Sequence, residues 1–274
     1  MNRRLTTQRK NYNEWRMSGG GKEDKVSLRP LFCRIGSKYL MADNIIKYFP
    51  NTYDIYVEPF VGGGGVFWRK EKEKHEVIND LDENLYKNYK LIKQVDADKL
   101  DKLDTNTLSE LQSYLNRPTK TKEKKLVDEI LYSCNGFSSR PVSRNTKHLS
   151  NNTNPIKKIN KFKFYQDRMK GVKIYNKDYI EIMKKYDSSK TFFYLDPPYE
   201  NSKDIYKHSG MDYEKMSSFL KTIKGKFLMS LNDSPNIRKI FKGFNFKIIP
   251  LITNAHKTSP IGSLPRIEIL ISNY

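Results

Sequence analysis

The stretch Thr191, Phe192, Phe193, Tyr194, Leu195, Asp196, Pro197, Pro198, Tyr199 constrains the fold more than any other. It begins as a continuous apolar and aromatic run, the pattern of a strand buried on both faces. The run stops abruptly at a carboxylate, two prolines and a ring. Proline cannot continue a sheet ladder and fixes its own φ, so Asp196 and Tyr199 are predicted to stand in fixed positions at the strand's carboxyl end. In an open α/β sheet, ligands bind at that edge. An ordinary strand-ending turn uses the same residue types, so other parts of the chain must decide between the two readings.

Upstream, residues 54–60 read as a strand, Gly62, Gly63, Gly64 and Gly65 as a turn, and Val66, Phe67 and Trp68 as the start of a helix. That order lets a cofactor approach backbone N–H groups at a helix N-terminus. The spacing is not the dinucleotide fingerprint G-x-G-x-x-G, because Phe67 holds the third glycine's place. Glu58, just before the turn, suits a cationic amino group, which NAD lacks and a methionine-type cofactor carries. A strand at 76–80 ends in Asp80, the candidate for ribose hydroxyls. Asp82 equally suits the N-cap of a helix running from Glu83. Gly36, Ser37 and Lys38 open a helix that continues through Leu40, Ile45, Ile46 and Phe49 to a stop at Pro50. This turn offers N–H groups and an ammonium to an anion.

Later segments repeat the alternation. A strand at 172–175 leads to Asp178 and Tyr179, which open a helix; a helix at 216–223, a strand at 227–231 and a helix at 237–241 follow. Strands at 246–251 and 267–272, with no helix between them, predict a closing antiparallel hairpin at the sheet's edge. The whole reads as an α/β fold with a mainly parallel sheet. Residues 1–27 read as a flexible basic tail, 28–95 and 165–274 as the sheet domain, and 96–164 as an insertion. The insertion's polar helices and its loop rich in Ser, Asn, Arg and Thr are not expected to bury a core of their own, and part of it is expected to order only on binding.

Charge points to the insertion's partner. The 274 residues carry 51 Lys and Arg against 31 Asp and Glu, a formal net charge of +20. Between Arg117 and Lys173 there are fifteen basic residues against four acidic ones, a concentration that predicts a nucleic-acid contact. Asn135, Arg140, Arg144, Lys147, Lys157 and Lys158 are the candidate DNA-binding residues. Cys33 and Cys134 have no histidines at metal-ligand spacing, so neither a disulfide framework nor a metal is expected. The chain lacks an apolar run long enough to span a bilayer, and its basic start has no signal-peptide core. An intracellular protein that avoids membranes and works where its DNA lies, in cytoplasm or viral factory, is expected.

Gly36, Ser37, Lys38, then Glu58, Pro59, Phe60, Val61, Gly62, Gly63, Gly64, then Asp196, Pro197, Pro198, Tyr199 follow in order, with a basic insertion before the last group. So ordered, the chain resembles the Dam-type (D12 class) N6-adenine-specific DNA methyltransferases from about Phe32 to Tyr274. The resemblance implies a Rossmann-like S-adenosylmethionine-dependent methyltransferase sheet with an inserted helical target-recognition subdomain. It implies S-adenosylmethionine as methyl donor, S-adenosylhomocysteine as product and double-stranded DNA as partner. Arg34, Gly36, Lys38, Glu58, Pro59, Phe60, Gly62, Gly63, Gly64, Asp80, Asp178, Tyr179 and Asp196 become the cofactor set. Within it, Lys38 and the glycine turn lie near the methionine end, Asp80 at the ribose, and Asp178 with Tyr179 at the adenine. A cognate restriction endonuclease is a candidate partner; monomer and homodimer both stay open. Ser37 replaces the second glycine usual before the lysine. The family's Phe-Asn-Val-Pro element is not recognisable, so GATC specificity does not carry over.

The chemistry follows from adenine itself. Its N6 lone pair is delocalised into the ring, so density must be drawn back onto nitrogen as a methyl group approaches. Asp196 and the Pro197 carbonyl are two acceptors for the N6 hydrogens. Pro198 fixes the turn, and Tyr199 is the stacking platform for an adenine flipped out of the duplex at a short specific sequence. No metal is required. RNA or protein-amide N-methylation is the alternative that an Asn at position 196 would have favoured. A catalytically silent DNA-binding relative is another.

Overall fold

The computed structural model describes residues 28–34, 36–101, 103, 107–135, 154–199, 210–249 and 268–274. Seven strands, β1 (Ile55–Glu58), β2 (His75–Asn79), β3 (Lys173–Tyr175), β4 (Thr191–Leu195), β5 (Lys226–Asn232), β6 (Asn245–Ile249) and β7 (Glu268–Ser272), form one sheet. Their order is β3-β2-β1-β4-β5-β7-β6. Strands β1 to β5 are parallel, and β7 runs antiparallel to both neighbours. The sheet is mainly parallel, as the alternation predicts, and Rossmann-like, as the family resemblance implies. Because β2 and β3 extend from one side of β1 and β5 from the far side of β4, the strand order reverses between β1 and β4, which opens a crevice at their carboxyl ends.

The final two strands pair antiparallel at the sheet's edge, as expected, with β7 between β5 and β6, so β6 is the edge strand. Burial explains the order: every residue of β7 is buried, whereas β6 is mostly exposed.

Successive side chains of a strand point to opposite faces, and both faces are covered here. Tyr56, Ile78, Phe192, Tyr194, Leu228 and Leu270 belong to the core on one face. Val57, Val77, Phe193, Leu195, Met229 and Ile271 belong to the core on the other. The second face carries α8 (Tyr179–Tyr186), α9 (Tyr213–Leu220) and α10 (Pro235–Ile240) through Ile182, Met216, Leu220 and Ile237. The first carries α1 (Ala42–Ile46) and α2 (Glu83–Gln94), then α3 (Ala97–Asp101), α4 (Leu108–Asn116), α5 (Lys122–Asn135), α6 (Asn154–Ile159) and α7 (Phe162–Met169). Leu100, Leu111, Leu126, Ile130, Ile156 and Phe162 from the predicted insertion are buried in the same cluster as Tyr56 and Phe192. The insertion's helices therefore share the core of the sheet.

Two helices predicted near the site are reduced. Lys38–Leu40 is a single 3-10 turn before the short α1. Residues 65–70 make consecutive turns, with Trp68 N–H bonded to Gly64 O at 2.9 Å and Lys70 N–H to Val66 O at 2.9 Å. Two glycines followed by a β-branched and two aromatic residues have weak helix propensity, and burial of Val66, Phe67 and Trp68 fixes the turns instead. Among the described residues, no helix is long and apolar enough to cross a membrane.

Charge is also buried. Glu76 on β2 accepts from Lys70 Nζ at 2.6 Å and from Arg168 Nη2 at 2.9 Å, and Arg168 also donates to Phe67 O at 2.9 Å. All three ionic side chains lie in the interior. Such a cluster is tolerable only because the charges pair and hydrogen-bond.

Candidate active site

The carboxyl edge is first a matter of backbone scaffolding. Asn79, buried at the end of β2, donates to Pro59 O and to Lys177 O, each at 2.9 Å, while its own oxygen accepts from Lys177 N–H at 2.9 Å. Asn176 donates to Asp80 O at 2.8 Å. The segments following β1, β2 and β3 are thereby tied together. A buried polar residue needs such partners, and Asn79 was not singled out in the sequence.

The glycine turn is docked against the Gly36-Ser37-Lys38 turn. A side chain at Gly65 would bring its Cβ to 2.6 Å from Tyr39 N and 2.8 Å from Ser37 Oγ. Gly64 has φ +72 and would place a Cβ 2.8 Å from Tyr89 Oη. Tyr89 donates to Gly62 O at 3.0 Å. Asp80 closes the turn from the other side, accepting from Gly62 N–H and from Asp82 N–H, each at 2.9 Å. Burial raises the Asp80 carboxyl's pKa against these two hydrogen bonds. Asp82 takes the N-cap position of α2, accepting from Asn84 and Leu85 N–H, and pairs with Arg34. Asp82 thus takes the capping role that the sequence offered it.

Phe60 and Tyr179 meet at the same edge, with ring centroids 5.1 Å apart and planes inclined by 35°. They are too close to admit a third ring between them, so a nucleobase here would lie against the pair. Asp178 is exposed and caps α8 through Ile180 N–H at 2.8 Å. Glu58 is buried, and Tyr56 donates to it at 2.7 Å. Burial, with a contribution from the Asp196 charge, pushes its carboxyl up to about 8 against that hydrogen bond.

At the end of β4, Asp196 is held by two donors on one oxygen. Lys38 Nζ lies 2.8 Å from Oδ1 and Ser230 Oγ lies 3.1 Å from the same atom. Since the carboxylate only accepts, Ser230 spends its hydrogen there, and Tyr194 Oη, 3.0 Å from Ser230 Oγ, donates to the serine in turn. Oδ2 has no partner among the described residues. Lys38 is buried; it also donates to Gly36 O at 3.0 Å and stands 4.6 Å from the centroid of the Tyr199 ring. Its ammonium meets the Asp196 carboxylate at closer range than that of Glu268, 2.8 against 3.8 Å.

The two prolines are clamped as well. Pro197 is buried, Pro198 O accepts from Tyr213 Oη, and Tyr199 Oη donates to Glu268 Oε1 at 3.0 Å. Glu268, the first residue of β7, also lies 3.8 Å from Lys38 Nζ. Burial pushes its carboxyl up while the Lys38 ammonium opposes this. Ser230, Tyr194, Tyr213 and Glu268 were not singled out as site residues. A serine within the apolar run of β5 and an acid at the start of that of β7 were the available signals.

The DNA-binding candidates separate. Arg140, Arg144 and Lys147 lie outside the described residues. Asn135 is the last residue of α5, and Lys157 is exposed on α6. Lys158 is buried, donating to Leu31 O at 3.0 Å, Cys134 Sγ at 3.0 Å and Cys33 Sγ at 3.2 Å. It is an interior residue and not a phosphate contact, and the same holds for Arg168 among the fifteen basic residues. The hydrogen bond with Cys33, aided by the Lys158 ammonium, pulls the Cys134 thiol down to about 6.

The donor set fits an adenosyl-amino-acid group. Asp80 keeps a lone pair on each oxygen for a diol, Phe60 and Tyr179 offer a ring surface, and a Cβ at Gly62 would meet nothing within 4 Å. A model of the D12 class N6 adenine-specific DNA methyltransferases matches residues 35–255. The type II methyltransferase M1.LlaDCHI of Lactococcus lactis subsp. cremoris is 27% identical over 92% of this chain and 98% of its own length. M.MjaIII of Methanocaldococcus jannaschii is 28% identical over 81% of this chain and 91% of its own. M.CviBI of Paramecium bursaria Chlorella virus NC1A is 24% identical over 79% and 88%.

Proposed function

The chain belongs to the D12 class N6 adenine-specific DNA methyltransferase family, and from that premise we propose how its residues methylate adenine in DNA. Asp196 carries the reading: with Lys38 and Ser230 both on Oδ1, Oδ2 is left to accept an adenine N6 hydrogen. The Pro197 carbonyl accepts the second. Together they favour a pyramidal nitrogen whose lone pair points at the incoming carbon. When bound, S-adenosylmethionine supplies an electrophilic methyl group on a cationic sulfur. Asp80 would hold its ribose, Phe60, Asp178 and Tyr179 its adenine, and Arg34, Gly36, Glu58, Pro59 and the turn at Gly62, Gly63 and Gly64 the methionine end.

The substrate adenine is flipped out of a duplex at a short specific sequence and stacks on Tyr199, whose ring also receives the Lys38 ammonium. Flipping costs about a few kcal/mol, offset by phosphate contacts from Lys157, Arg140, Arg144 and Lys147. Residues 96–164 carry target recognition, with Asn135 at the end of α5 among the groups suited to base edges. The similarity to type II methyltransferases supports a cognate restriction endonuclease reading the same sequence. The deciding experiment is base-resolution sequencing of duplex DNA incubated with the protein and S-adenosylmethionine. N6-methyladenine within one sequence context is expected; methylation scattered without context would refute site-specific recognition.

A further inference from the structure

Glu268 belongs to β7, the strand farthest along the described chain, yet it reaches the reaction centre. Its Oε1 accepts from Tyr199 Oη at 3.0 Å and stands 3.8 Å from Lys38 Nζ. Glu268 is only 7% exposed, and an acid so placed is costly unless its partners require it. Its second oxygen, Oε2, is buried without a hydrogen-bond partner, as is Oδ1 of Asn232, its cross-strand partner on β5. A buried hydrophobe would satisfy the sheet better at this position.

We propose that Glu268 is a positioning residue for methyl transfer, which fixes the Tyr199 ring through its hydroxyl and gives Lys38 a second carboxylate when the substrate amine draws on Asp196. In the structure Lys38 lies 1.0 Å closer to Asp196 than to Glu268, at 2.8 against 3.8 Å. An amine donating to Asp196 weakens that carboxylate's hold, and a small movement of Nζ then shares the ammonium between the two acids. Glu268 keeps the cation over Tyr199 throughout. One oxygen thus couples the stacking ring to the cation that orients the acceptor.

The proposal rests on the assignment of Asp196 and Tyr199 given above. Its test is a double-mutant cycle of E268Q and Y199F, reading kcat for methyl incorporation into duplex DNA together with S-adenosylmethionine affinity. Gln is nearly isosteric, and E268D, one methylene shorter, is measured beside it in the same cycle. We expect E268Q and E268D each to lower kcat about tenfold or more, a loss of the size of one charged hydrogen bond, with cofactor affinity within twofold. The loss in each double variant should fall short of the product of the single losses by threefold or more. Losses that multiply more closely than that, or a kcat within twofold for both Glu268 variants, would overturn the proposal. D196A separates the two levels: if it stays active, the underlying assignment fails, whereas an inactive D196A beside fully active E268Q and E268D refutes only the role of Glu268.

Discussion

Lys38 Nζ and Asp196 Oδ1 stand 2.8 Å apart, joining the turn that precedes α1 to the carboxyl end of β4. This contact occupies one carboxylate oxygen, and in the mechanism proposed above the other is the one that meets the substrate amine. D196A is expected to lower methylation at least a hundredfold, the scale seen when one aligned polar partner of a reacting group is lost, with cofactor binding kept. Labelled methyl incorporation and calorimetric cofactor titration check the two halves.

Gly65 is where the glycine turn and the Lys38 turn touch. G65A should cost about 1–3 kcal/mol of stability by overpacking, because backbone atoms at 2.6 and 2.9 Å cannot rotate away. It should also displace Lys38 and so reduce kcat. Denaturant unfolding and steady-state kinetics report the two effects.

Glu58 supplies a pH signature. Its folded pKa, near 8, lies above the ordinary carboxyl value, so between about 4.5 and 8 the native state holds a proton that the unfolded chain releases. The stability this group contributes is complete below that window and is lost as pH rises through it. E58Q cannot lose that proton, so its melting temperature relative to wild type should climb between pH 5 and pH 8. A constant difference across that range would count against a neutral Glu58.

Two adjacent lysines should behave oppositely. Lys157 is exposed and Lys158 buried. K157A should shallow the slope of log K for DNA against log salt by about 0.9, one phosphate contact, without changing stability. K158M should leave that slope alone and lower stability by about 1–3 kcal/mol, since Leu31 O loses its buried donor. Fluorescence anisotropy over a salt series and chemical unfolding distinguish them.

These two residues also mark where the sequence ceases to be legible. β4 and its Asp-Pro-Pro-Tyr ending could be read because their information is local: an apolar run, then residues that forbid continuation. The parallel sheet followed for the same reason. Lysine and arginine read as surface in any local window, and only their distant partners, Leu31 O for Lys158 and Glu76 for Arg168, explain their burial. Glu268 was hidden similarly, standing 69 residues from Tyr199. The place of β7 inside the sheet was more accessible, since Ile269, Leu270 and Ile271 supply apolar side chains to both faces, as a strand covered on both sides requires. The helix expected after the glycine turn did not form because glycines, a β-branched residue and two aromatics favour it little, and burial of Val66, Phe67 and Trp68 holds the chain in turns.

The position of β7 has a consequence for any interrupted chain. Because β6 pairs only with β7 and β5 meets no other strand on that side, a fragment ending anywhere in 250–267 would leave β5 with an open, apolar edge and β6 without a partner. Unpaired edges of that kind template aggregation. The same fragment would lack Glu268, so Tyr199 would have lost its hydroxyl's acceptor. Prematurely terminated or clipped chains should therefore be cleared as insoluble material, which would keep imperfect copies away from DNA.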